Sequence, residues 1–89
     1  MVSYHAMTTQ VRNQIVTTVG QNLRAARVER NLTQKQVGDA LGVTNRDVSR
    51  WEGGKVEPGP VYRQMLADLF YDGEISRMYE LSDETKAAA

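Results

Sequence analysis

The chain has 89 residues, 40% of them hydrophobic, with 11 basic and 11 acidic side chains and no cysteine. That length suits one small domain, and without cysteine neither disulfides nor thiolate metal sites can staple it. Zero net charge taken alone argues against a nucleic-acid binder, and no apolar run reaches membrane-spanning length.

The N-terminus has no signal-peptide core, so the expected location is the cytoplasm. Residues 1–8 show no periodicity and read as a flexible tail, with Met7 a second candidate start and His5 without a role. From Thr9 a helical pattern begins: Val11, Ile15, Val19, Leu23 and Ala26, with Val16 alongside. The expected first helix is one long element from about Thr9 to Arg30, and Thr17, Thr18 and Gly20, poor helix formers, mark where a break or kink could fall. Asn31 is the expected stop, and Leu32 turns inward.

Thr33 and Gln36 then form the S/T-x-x-E/Q capping box of a helix start. Val37, Ala40 and Leu41 follow at helical spacing, and Gly42 stands where a left-handed residue closes a helix. A second box, Thr44 with Asp47, opens the next helix, whose inward face is Val48 and Trp51 and whose end is Gly53-Gly54. Val56 to Gly59 is a loop. Pro60 is suited to the first turn of a helix that buries Val61, Met65, Leu66, Leu69 and Phe70, through about Tyr71. Asp72-Gly73 is a turn, and a last short helix spans Glu74 to Leu81. Tyr62, Tyr71 and Tyr79 are expected half-buried, with hydroxyls reaching water. Residues 82–89 read as a flexible tail.

Charge is unevenly distributed. Arg12 to Lys55 holds eight basic residues against four acidic, and Val56 onward holds three basic against seven acidic. A basic face around the central segment and an acidic end directed elsewhere follow from that split. Gly53-Gly54-Lys55 lacks the spacing of a phosphate-binding loop. With one histidine in a tail and no carboxylate pair on an evident cleft, the chain is not expected to be an enzyme. Nothing in it calls for a cofactor or a metal.

The segment TQKQVGDALGVTNRDVSRWEGGK, Thr33 to Lys55, resembles the helix-turn-helix of phage repressors and Cro proteins, the XRE family. Gly38 stands at the helix crossing and Gly42 in the turn, with Val37, Leu41, Val43, Val48 and Trp51 at the apolar positions. Two short helices crossing steeply leave no room for a side chain, and so tight a turn needs positive φ. The likeness extends from about Val19 to Tyr79. It implies an all-α, compact five-helix bundle of the lambda-repressor-like type over residues 9–81. The implied function is sequence-specific binding of double-stranded DNA by a small transcriptional regulator, with a recognition helix of about 45–52 in the major groove.

Carried onto this chain, the resemblance places Thr44, Asn45, Arg46, Ser49 and Arg50 at base-reading positions. Arginine suits guanine and asparagine suits adenine. Thr33, Gln34, Lys35 and Lys55 match phosphate-contacting positions, although the loop continues Val56-Glu57-Pro58-Gly59 without further basic residues. Asp47 either completes the Thr44 cap or accepts from cytosine. Arg27 and Glu52 form an ion pair, or Arg27 contacts phosphate. A homodimer is expected through Ile75, Met78 and Leu81 on the last helix. The alternative is an interaction protein, an antitoxin or coactivator, whose acidic C-terminal end docks a protein partner.

Overall fold

The computed structural model describes residues 4–81, with side chains from Gln10 onward. Within them lie four α-helices and one 3₁₀ turn: α1 (Tyr4–Glu29), α2 (Gln34–Leu41), α3 (Asn45–Glu52), α4 (Pro60–Phe70) and the turn Ile75–Tyr79. No strand occurs among the described residues.

The short helices start and stop for local reasons. Gln36 N–H donates to Thr33 Oγ1 at 3.0 Å, and Thr33 N–H donates to Gln36 Oε1 at 2.8 Å, closing the first capping box. Gly42 ends α2 with φ 76°, a conformation that costs a side-chain-bearing residue energy. Pro60 occupies the first turn of α4, where its missing N–H would have had no helical partner. Asn31 is left-handed, with φ 57°, at the stop expected for α1.

The core gathers one stripe from each helix: Val19, Leu23 and Ala26 of α1, Val37 and Leu41 of α2, Val48 and Trp51 of α3, and Leu66, Ala67 and Phe70 of α4. Leu32 packs against its edge, and the Trp51 and Tyr62 rings meet at 5.6 Å. No described helix is long and apolar enough to cross a membrane.

Several expectations need correction. The bundle has four α-helices, not five. The segment expected as a helix over Glu74 to Leu81 is a five-residue 3₁₀ turn. Asp72 and Gly73 are both left-handed, and the run after them is too short to repay nucleation of an α-helix. Met78 in that turn is fully buried, so it belongs to the monomer core and is unavailable as a dimer contact. Ile75 also packs against the core, whereas Leu81 is exposed. Asn22 fixes the turn by donating from Nδ2 to the carbonyls of Met78 and Glu80, at 2.8 and 2.6 Å.

The first helix begins at Tyr4 rather than Thr9, so the tail expected over 1–8 is helical from Tyr4. The side chains of His5 and Met7, and all of residues 1–3 and 82–89, lie outside the described residues. Val11 and Ile15 share the periodicity of Val19 and Leu23 but are exposed, because the first half of α1 runs beyond the core. Val61 and Leu69 on α4 are exposed as well, and Ala40 on α2. In α4 the buried arc is rotated toward Tyr62, Leu66 and Ala67. Tyr71 is buried, hydroxyl included, so that oxygen does not reach water as expected. Burial pushes its phenol pKa above the usual value, against the opposing effect of Arg30 and Arg77.

No break occurs near Thr18. Gly20 continues the helix and is buried against the end of α3. A Cβ there would meet the Trp51 carbonyl oxygen and lie 2.8 Å from that of Glu52. Helix propensity alone favours Gly→Ala by about 1 kcal/mol, whereas overpacking costs about 1–3 kcal/mol. Because the obstacle is backbone, Gly20→Ala should lower the thermal midpoint. A higher midpoint for the variant would show that α1 can draw back from α3 freely.

Candidate nucleic-acid interface

Helices α2 and α3 are joined by Gly42, Val43 and Thr44, a connection that works only if the helices approach closely. Gly38 provides that approach: a Cβ on it would lie 2.8 Å from the Val43 carbonyl oxygen. Val43 N–H donates to the Gly38 carbonyl at 2.9 Å, closing the turn. Thr44 then opens α3. Asp47 N–H donates to Thr44 Oγ1 at 3.2 Å, and Thr44 N–H and Oγ1–H donate to Asp47 Oδ2 at 3.2 and 3.0 Å. Asp47 is thereby committed to the cap, and its charge favours the positive end of the helix dipole.

Asn45, Arg46, Ser49 and Arg50 are exposed, while Val48 and Trp51 are buried on the opposite arc. Spacings of three and four residues put the four polar side chains on one face. Arg46 and Arg50 form no ion pair among the described residues.

The far end of α3 is held by a nearly dry ion pair. Arg27 Nε and a terminal guanidinium nitrogen donate to the two Glu52 carboxylate oxygens at 2.7 and 3.0 Å. The side chains are only 14% and 5% exposed. The other terminal nitrogen donates to the Leu32 carbonyl at 2.8 Å. Hydrogen bonding to Glu52 raises the Arg27 pKa above its ordinary value, outweighing burial. Of the two roles open to Arg27 from sequence, the structure shows the ion pair.

The expected phosphate contacts are in different situations. Gln34 donates to Glu52 Oε1 at 3.2 Å and so joins the ion-pair network. Lys35 and Lys55 are exposed. Lys35 reaches Asp39 at 3.0 Å in an exposed i,i+4 pair, which contributes little and leaves the ammonium accessible. Glu57 in the exit loop accepts from Arg63 at 3.2 Å and from the Tyr79 hydroxyl at 3.1 Å, so its charge is compensated on the core side.

One residue on this side was missed in the sequence. Arg24 lines a cleft of about 310 Å³ with Gln34, Ser49 and Gly53, against the recognition helix. Its i,i+3 relation to Arg27 was the available signal.

The helix-turn-helix family profile matches residues 23–70, more than half of the chain. The chain belongs to this family, in its XRE type, and is thus a DNA-binding regulator. Separate comparisons with curated proteins and with solved structures returned no match.

The Arg27 geometry sets a stability test. Removing one partner of a buried pair costs about 3–5 kcal/mol because the other charge is stranded. Arg27→Met should therefore melt well below the parent protein, and adding Glu52→Leu should recover much of the loss. Thermal melts of both single variants and the double distinguish this from additive, unrelated losses.

Proposed function

We propose that this protein is a sequence-specific, repressor- or Cro-like regulator that lays α3 in the major groove of double-stranded DNA. The observation that carries the reading is two arginines, Arg46 and Arg50, without an ion pair among the described residues, on the exposed face of a helix fastened at both ends. In this docking the first turns of α3 reach base edges. Asn45 and the two arginines have donor patterns that distinguish adenine and guanine, with Thr44 and Ser49 beside them. Thr33 and Lys35 at the start of α2, and Lys55 after α3, take the backbone phosphates. Free amides at a helix start favour anions, and lysine adds a point charge. Gln34, bonded to Glu52, contributes its backbone N–H rather than its side chain.

A two-fold dimer on DNA belongs to this reading, since one such helix reads too few base pairs to find a site among genomic competitors. With Met78 in the core, Leu81 is the exposed member of the trio first assigned to the dimer contact.

Selection of binding sites from random duplexes supplies the operator. On that duplex and a scrambled one, Arg46→Ala should lose about 1–3 kcal/mol of discrimination. Lys55→Ala should weaken both alike and flatten the salt dependence by about one unit or less. Equal weakening on both duplexes for Arg46→Ala removes that residue from base reading, and failure of the wild type to enrich any site refutes sequence-specific binding.

A further inference from the structure

The first half of α1 lies outside the family match and outside the core, yet one flank of the helix as a whole has a consistent neighbour. Arg27 pairs with Glu52, Arg24 faces the cleft with Ser49, and Gly20 lies against the Trp51 and Glu52 carbonyls. One turn earlier, Thr17 lies 3.4 Å from where a Cβ on Gly54 would stand. These positions recur at three- and four-residue steps, so a single stripe of α1 follows the C-terminal edge of α3 and its exit loop. Continued toward the N-terminus, the stripe arrives at Asn13 and its neighbour Arg12. There a second cleft, of about 280 Å³, opens between Arg12, Asn13 and Thr17 on α1 and Gly54 and Lys55 in the loop.

We propose that this cleft holds a phosphate of the DNA backbone between Arg12 and Lys55, so that α1 carries the footprint beyond the helix-turn-helix. The inference rests on the DNA-binding reading above and adds a contact to it. Two cations from different elements border one concave site, and neither forms an ion pair among the described residues. Asn13 adds an amide donor. The one carboxylate in the lining, Glu57, is already held by Arg63 and Tyr79. Free phosphate offers the same oxygens, but the backbone is favoured as the source by continuity with the recognition helix. At 1.5 Å per residue, Arg12 lies about 18 Å along α1 from Arg24, far enough to meet a separate phosphate.

Ethylation interference and salt titrations test this on the full chain, with a duplex extended well beyond the selected site on both sides. Wild type, Arg12→Gln and Lys55→Gln are compared. Interference at one phosphate should be present in the wild type and weakened in both variants. Arg12→Gln should flatten the salt slope by about one unit or less, equally on specific and scrambled duplexes, with an unchanged melting temperature. Loss of interference at different phosphates overturns the shared cleft. An unchanged slope and footprint for Arg12→Gln, while Arg46→Ala still loses discrimination, overturns the cleft and leaves the DNA reading standing. Inorganic phosphate shifting the Arg12 and Lys55 NMR signals, with the duplex footprint unaltered, overturns the backbone as the source. A wild type that binds no duplex removes both readings together.

Discussion

Arg27 stands where three segments meet, and three of its five guanidinium donors are used there. Two bonds go to Glu52 at the end of α3, and one goes to the Leu32 carbonyl just before α2. Gln34 at the start of α2 also reaches Glu52. One planar cation thereby sets the long first helix, the entry to the motif and the exit from the recognition helix in a common frame. Lysine lacks the rigid planar fork that reaches both Glu52 oxygens and the Leu32 carbonyl at once. The geometry also accounts for a carboxylate at the end of α3: Glu52 is turned inward and paired.

The same accounting applies to the other acids near the interface. Asp47 is folded back onto Thr44, and Glu57 is held by Arg63 and Tyr79. Asp39 is paired with Lys35. Arg24, Arg46, Arg50 and Lys55 are left exposed, and none of them forms an ion pair among the described residues. A protein of zero net charge thus carries exposed basic side chains around α3 because bases outnumber acids in that part of the chain and the acids nearby are engaged locally. Preorganisation follows from the same contacts. A short helix capped at Thr44 and braced at Glu52 needs little further ordering on a duplex.

Much was legible in the chain because it is local. Capping boxes, a left-handed glycine and a proline at a helix start act within four residues, so Thr33, Gly42, Thr44 and Pro60 marked the boundaries of α2, α3 and α4 directly. The small residue at the crossing of α2 and α3 was readable for a related reason: the two helices are adjacent in sequence, and their turn dictates how they cross.

What the sequence by itself determined was the motif and its polar face; for Arg27 it left two roles open, and the structure chose the pair with Glu52. Which apolar residues meet a neighbour was decided only by tertiary structure. Val11 and Ile15 have the same period as Val19 and Leu23, but burial requires an opposing element and none covers their side of α1 among the described residues. Met78, expected as a dimer contact, is buried completely in a five-residue turn whose backbone Asn22 holds at the carbonyls of Met78 and Glu80. Gly20 looked like a weak point of α1, yet it is where that helix touches the backbone of α3, 31 residues away in the chain. Periodicity specifies a face, whereas burial depends on what the rest of the chain brings to that face, and no local pattern contains that information.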